Sequence, residues 1–369
     1  MLFPWSKMID LDDRAGRSRL DPAGMIERIV ALPDQIRAAW AQVAQVDLPP
    51  SYRDASHVVI CGMGGSAIGG DLTRTLVEAE AQVPVIVVRG YDLPEFVGRN
   101  TLVVLSSFSG ATEETISAGA RALQVGARLV GITTGGAVAD LARSNTFPLV
   151  EFGFPGTPRE AIGYSTILML GVLTRLGYVS SHATEVQRAA DLLDDMGREV
   201  GPEIPVAGNP AKQLALRLVG HVGLVYGGGF MAEVARRWKG QLNENAKTWA
   251  FFEQLPELNH NALLGYRFPV AAAQQNFVVL LHSDLNHPRI SRRELATGAL
   301  LRKAFVEMAR VDARGASPLE HQWSAAYVGD FVSYYLALLN GVDPSEMDDL
   351  NILKDHMRQS DGAERAGVS

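Results

Sequence analysis

Thr101-Leu102-Val103-Val104-Leu105 runs directly into Ser106-Ser107-Phe108-Ser109-Gly110-Ala111-Thr112-Glu113-Glu114, and the reading of the fold turns on this junction. The first five residues form a β-branched, apolar run that predicts a buried strand. From Thr115 to Leu123, Ile116, Ala120 and Leu123 recur at helical spacing, so the strand is followed by a helix. The loop between them carries hydroxyls at Ser107, Ser109 and Thr112 and a glycine at 110. Unpaired N–H groups and the positive dipole end of a helix N-terminus suit a small dianion, and hydroxyls add neutral donors around it. The same residues also read as an ordinary cap, with Ser109 or Thr112 capping and Glu113 or Glu114 in the first turn. Taken alone, the stretch leaves both readings open.

Working outward, an upstream unit repeats the pattern. His57-Val58-Val59-Ile60-Cys61 predicts a strand, Gly62-Met63-Gly64-Gly65-Ser66-Ala67 a glycine-rich turn, and a helix runs on to about residue 79. Gly62, Gly64 and Ala67 satisfy G-x-G-x-x-G/A, but the next strand, 83–88, ends at Arg89-Gly90 with no acid in the ribose position. Further strands are expected at 128–133 and 147–150, with a helix at 137–143 between them. Strands alternating with helices across short loops make 55–150 a parallel, doubly wound α/β sheet. A second unit begins at His221–Tyr226, turns at Gly227-Gly228-Gly229 and enters a helix over 230–243. Strands at 277–282 and 311–314, a helix at 291–310, a long apolar stretch at 322–339 and a final helix at 348–358 complete it. The expected organisation is an N-terminal tail and helix (1–50, the helix over 23–46), a first α/β domain (51–180), a connecting helix and linker (181–205), a second α/β domain (206–347) and a C-terminal helix and tail (348–369).

The chain has 369 residues, 47% of them hydrophobic and 20% charged, which describes an ordinary globular protein with room for a large core. A formal net charge of −7 argues against nucleic acid as the main partner. The single cysteine, Cys61, excludes an intrachain disulfide and fits a reducing cytoplasm. No leader pattern and no run of membrane-spanning length is read, so no membrane association is expected.

The densest group of chemically useful residues is Lys239 to Asn261. Asn243-Glu244-Asn245 sets one carboxylate between two amides at a helix end, with Lys247 near; amide donors and a cation would hold that carboxylate as a proton acceptor. The plain alternative is a solvated helix end. Pro256-Glu257-Leu258-Asn259-His260-Asn261 places a histidine in a loop, where it serves either catalysis or a backbone carbonyl. Arg159, after Pro158, reads as a site cation or a surface one. His282, Asp284 and His287 have loose metal spacing, but no H-E-x-x-H and no third ligand accompany them, so no metal is expected.

In order, Gly62-Met63-Gly64-Gly65-Ser66, Ser107-x-Ser109-Gly110-x-Thr112, Pro158-Arg159, Asn243-Glu244-Asn245-Ala246-Lys247 and Glu257-Leu258-Asn259-His260-Asn261 resemble the bifunctional phosphoglucose/phosphomannose isomerase family. The resemblance spans residues 20–358, and its last two motifs are far more specific than the glycine loops. It implies two SIS (sugar isomerase) domains, each a flavodoxin-like parallel sheet flanked by helices. It also implies a homodimer and reversible conversion of an aldose 6-phosphate to fructose 6-phosphate through a cis-enediolate, without cofactor. Carried over by position, Gly65, Ser66, Ser107, Ser109 and Thr112 would bind the phosphate, Glu244 would be the base and Arg159 would stabilise the enediolate. His260, from the neighbouring subunit, would assist ring opening together with Lys354. The family pattern has Thr and often Pro where Ser345 and Glu346 stand, which leaves acceptance of the mannose epimer open beside that of glucose 6-phosphate.

Three other classes compete. An amidotransferase making glucosamine 6-phosphate needs an N-terminal nucleophilic cysteine, and position 2 is Leu. A sugar-phosphate-sensing SIS regulator pairs its domain with a helix-turn-helix, of which residues 1–50 show no compact basic pattern. A nucleotide-linked oxidoreductase, read from 62–67 and Arg89, leaves Ser107–Thr112 and Asn243–Lys247 without a role.

Overall fold

The computed structural model describes residues 8–365. Two parallel sheets carry the strands. The first contains β1 (His57–Cys61), β2 (Val85–Val88), β3 (Thr101–Ser107), β4 (Arg128–Thr133) and β5 (Leu149–Glu151), in the order β2-β1-β3-β4-β5. All seven residues of β3 are buried, as its unbroken apolar run requires of a central parallel strand. His57 pairs with Thr101 and Cys61 with Leu105. The C-terminal ends of β1 and β3 therefore lie side by side where the strand order reverses, the place at which open α/β sheets hold ligands. The second sheet contains β6 (Val222–Gly228), β7 (Ala250–Leu255), β8 (Asn276–His282) and β9 (Glu307–Asp312), in the order β7-β6-β8-β9. It repeats the winding of the first with one strand fewer.

In chain order the helices are α1 (Arg14–Leu20), α2 (Met25–Val30), α3 (Leu32–Val43), α4 (Gly64–Val77), α5 (Glu113–Gln124), α6 (Gly136–Asn145), α7 (Ile162–Leu176), α8 (Ala183–Val200), α9 (Pro210–Leu218), α10 (Ala232–Glu244), α11 (Val270–Gln275), α12 (Pro288–Lys303), α13 (Pro318–Leu339) and α14 (Asp348–Arg365). One buried cluster runs from Leu11 to Leu339 and takes in α3, α7, α8, α9, α10 and α13. Helix α13 is apolar almost all round and buried along nearly its whole length, as such a composition demands. It starts on Ser317, whose hydroxyl accepts from Glu320 N–H, and packs against α8, α9 and α10. None of the helices among the described residues is long and apolar enough to cross a membrane.

Local differences from the sequence expectation have physical causes. The helix expected over 23–46 is two, broken at Ala31; Pro33 stands in the first turn of α3, where its missing N–H costs no hydrogen bond. The segment read as a tail contains α1, and Arg17 there is buried, donating to Leu11 O and Glu203. Residues 1–7 of that segment lie outside the described residues. The helix expected in the connecting stretch 181–205 is present as α8, and its Val186, Ala189, Leu193 and Met196 enter the common core. Strand β7 was not expected; β9 begins four residues earlier than predicted because α12 ends at Lys303 and Phe305 turns the chain at φ 59°.

Where α10 meets α13, the core turns polar. Arg237 on α10 donates to Asp330 Oδ1 on α13 at 2.6 Å, and Gln241 donates to the same oxygen. Burial pushes the Asp330 carboxyl up to about 6, against the opposing pull of Arg237 and Gln241. An acid whose native pKa stands above its unfolded value holds a proton that unfolding releases. Its favourable contribution is complete below about pH 4 and is lost as pH rises to about 6, at up to about 1.4 kcal/mol per pH unit. Asp330→Asn should abolish that decline. Urea midpoints of the two proteins compared from pH 4 to 8 test it; a stability difference independent of pH would show that Asp330 does not titrate with folding.

Candidate active site

The loop from β1 to α4 is glycine-rich for reasons of space and conformation. Gly64 sits at φ +50°, and a Cβ on Gly62 would lie 2.8 Å from the Ser106 carbonyl oxygen. This close approach lets Ser66, in the first turn of α4, accept from the Phe108 N–H at 3.1 Å, so the two switch-point loops are bonded to each other. Ser107 ends β3, and its hydroxyl pairs with Thr112 Oγ1 at 2.9 Å. Ser109 is exposed and accepts from Ala111 N–H within its own turn. Thr112 is the N-cap residue of α5 in backbone position, yet no side chain caps that helix. The hydroxyls pair with one another or with the turn instead of capping α5, while Glu113 and Glu114 stand in its first turn as the capping alternative expects.

The same glycine loop touches the next element of the site. A Cβ on Gly65 would stand 2.7 Å from the Pro158 carbonyl carbon and 3.0 Å from Arg159 N. Arg159 is only 5% exposed, and its donors diverge. Nε donates to Asn245 Oδ1 at 2.7 Å, Nη2 to the Pro344 carbonyl at 2.8 Å, and Nη1 to Met347 Sδ at 3.1 Å and Glu244 Oε2 at 3.5 Å.

Glu244 is the last residue of α10, and its side chain is 38% exposed. It lines a cavity of about 410 Å³ with Arg159, Lys247, Trp249, Met347 and Leu350. The surroundings of the carboxylate differ from the sequence expectation. Asn243 Oδ1 accepts from Ala250 N–H, tying the helix end to β7, and the Asn245 amide serves Arg159 and Ser333. Lys247 Nζ donates to the carbonyls of Glu244, Asp343 and Glu346, at 2.8–3.1 Å, rather than to the Glu244 carboxylate. Burial holds the Lys247 ammonium below its usual pKa. The cation that faces Glu244 is Arg159. Pro344 and Met347 went unnoticed in the sequence, because only the return of the chain after α13 brings them here.

His260 and Lys354 are not brought to this cavity. His260 ends a short 3-10 turn after β7 and is exposed, and its imidazole has no hydrogen bond among the described residues. Its neighbours are engaged, Asn259 with Thr297 and Asn261 with Glu257. Lys354 is exposed on α14, whose Asp349 and Leu350, one turn earlier, do line the cavity. The remaining candidates have structural partners: His282 bonds Glu294, His287 caps α12 by accepting from Arg289 N–H, and Arg89 pairs with Asp71. Burial pushes the Cys61 thiol up to about 12, which leaves it no thiolate character.

The candidate site is thus a hydroxyl-lined switch point bonded to a glycine turn, with an arginine–carboxylate pair drawn from distant parts of the chain beside it. Residues 207–357 match the family described as bacterial phospho-glucose isomerase C-terminal SIS domain. The chain is 36% identical to the bifunctional phosphoglucose/phosphomannose isomerase of Caldicellulosiruptor bescii, over 91% of this chain and 99% of the relative. It is 32% identical to that of Aquifex aeolicus, over 87% and 94%. A glucose-6-phosphate isomerase like protein from Thermus thermophilus shares the fold, with TM-score 0.63 and 21% identity over 92% of this chain and 99% of the other. The chain belongs to the bifunctional phosphoglucose/phosphomannose isomerase family and is an isomerase, an intramolecular oxidoreductase.

The Gly65 contact should be felt in both folding and catalysis. Gly65→Ala forces the Pro158-Arg159 backbone to shift, which should cost about 1–3 kcal/mol and lower kcat/KM by about tenfold or more. Denaturation midpoints and steady-state kinetics measure the two; a variant unchanged in both would show that the loops do not need this approach.

Proposed function

We propose that the protein interconverts glucose 6-phosphate and fructose 6-phosphate, with mannose 6-phosphate as a further aldose to be tested, by proton transfer through a cis-enediolate. The observation that carries the reading is the Arg159–Glu244 pair, 3.5 Å apart in the cavity. The phosphate would lie at the switch point, held by the hydroxyls of Ser66, Ser107, Ser109 and Thr112 and the α5 N-terminus, with Gly65 allowing the approach. After ring opening, Glu244 takes the proton from C2 and the electron pair moves onto the carbonyl oxygen. Arg159 stabilises the negative charge on the two enediolate oxygens, the proton of the C2 hydroxyl passes to the C1 oxygen, and the protonated Glu244 returns its proton to C1. One carbon is oxidised as its neighbour is reduced, so no external electron carrier is required. Ring opening calls for an acid–base group at the hemiacetal. His260 of a second copy in a homodimer fits that role, being exposed with its imidazole unbonded among the described residues, and Lys354 would join it.

Glu244→Gln keeps shape and loses the base. Turnover should fall by about 10³ or more, with solvent deuterium wash-in at C2 lost in parallel. Near-normal turnover would rule Glu244 out as the base.

The shared site has its own test. Glu244→Gln and His260→Ala are each expected to be inactive, yet in a mixed dimer one site collects both lesions and the other neither. With random pairing about half the dimers are mixed, so about a quarter of all sites should recover wild-type activity on co-expression. If mixed dimers form and activity stays at the average of the two single variants, both residues act within one chain.

A further inference from the structure

Asn245 follows the last residue of α10, is right-handed at φ −82°, ψ −53°, and is 4% exposed, so both ends of its amide need partners inside the protein. A guanidinium only donates, so the amide must turn Oδ1 toward Arg159 Nε and Nδ2 away. Nδ2 donates to Ser333 Oγ at 3.0 Å, and the Ser333 hydroxyl donates to the Asp330 carbonyl at 3.0 Å on α13. The buried α10–α13 contact thus fixes the direction of the amide, and the amide fixes the direction of the guanidinium.

The three nitrogens of Arg159 are held unequally. Nε and Nη2 each meet a strong neutral acceptor, at 2.7 and 2.8 Å. Nη1 meets only a thioether and a carboxylate oxygen 3.5 Å away. A thioether is a weak acceptor, so Nη1 is the donor most readily given to a developing oxyanion. Because both firm acceptors are neutral, the guanidinium keeps its full charge for that oxyanion; a carboxylate at position 245 would cancel much of it.

We propose that Asn245, locked by Ser333, is the positioning residue for Arg159, holding the guanidinium with Nη1 turned to the place where the enediolate charge forms. This rests on the enediolate reading of Arg159 above. A misdirected cation should cost transition-state stabilisation more than substrate binding.

The test is a double-mutant cycle on the full-length protein, read by steady-state kinetics and by affinity for a phosphorylated aldonohydroxamate, whose planar cis oxygens mimic the enediolate. Asn245→Ala should lower kcat by about 10- to 100-fold with KM within about threefold, and weaken the hydroxamate by a similar factor. In an Arg159→Ala background the same change should cost less than about twofold, because its route is already gone. Ser333→Ala, one residue further from the substrate, should show a smaller loss of the same kind, and it carries the test if Asn245→Ala does not fold. Single variants near wild type, or an equal loss with and without Arg159, would overturn the positioning role. If Arg159→Ala alone spares kcat and hydroxamate affinity, the enediolate reading itself fails; if it is crippled while Asn245→Ala and Ser333→Ala are harmless, only this proposal does.

Discussion

A guanidinium almost wholly removed from water must find acceptors for its donors, and Arg159 finds them in two distant parts of the chain, while its backbone rests on a third. The end of α10 supplies Asn245 and Glu244, the loop after α13 supplies Pro344 and Met347, and the backbone beneath it rests on Gly65. The site is the set of elements that this one cation draws together. Removing the side chain would leave the Pro344 carbonyl and the Asn245 amide without their partner in a buried place, so its loss would be structural as well as chemical.

The layer beneath explains why the arrangement is stiff. Arg237 reaches toward the Arg159 carbonyl, at 3.4 Å, and pairs with Asp330, while Gln241 shares that carboxylate. Across the α10–α13 contact the Asp330 carboxylate is met by both partners, while Arg237 Nε and Gln241 Oε1 find none among the described residues. This contact ties the end of α10, where Glu244 stands, to a helix buried along nearly its whole length. Lys247 adds a clasp from the opposite side, pinning the 343–346 loop by its carbonyls.

What the sequence made legible was whatever repeats locally. The apolar run of β3, the glycines at 62 and 64 and the hydroxyls after Ser106 announced a parallel sheet with a candidate anion site, because strand, turn and helix follow within a few residues. Arg159 and Glu244 each drew notice locally, but only the motif resemblance joined them, since neither spacing nor composition links residues 85 apart. Strand β7 escaped because Ala250-Phe-Phe-Glu-Gln-Leu255 is an edge strand with neither clean alternation nor a fully apolar run. The part of Asn245 was misread for a related reason: next to Glu244 in sequence, it seemed made to hold that carboxylate, whereas the helix turns its amide toward Arg159. Pro344 and Met347 had no signal at all, their partner being 185 and 188 residues away.

That separation along the chain has a consequence for how the molecule is made. Helix α13 packs against α2 and α8 as well as α10, and the loop that follows it supplies two of the Arg159 acceptors. During synthesis the amino-terminal sheet can pair its strands early, since β1 to β5 close within residues 57–151. The common core and the site cannot form then, for they wait on residues 318–347. Until those emerge, an arginine destined for the interior has only water for company, and a large apolar face stays uncovered. The nascent chain therefore passes a long part of its translation with the strands of its first sheet complete and its candidate site still apart, dependent on whatever shields that face in the meantime.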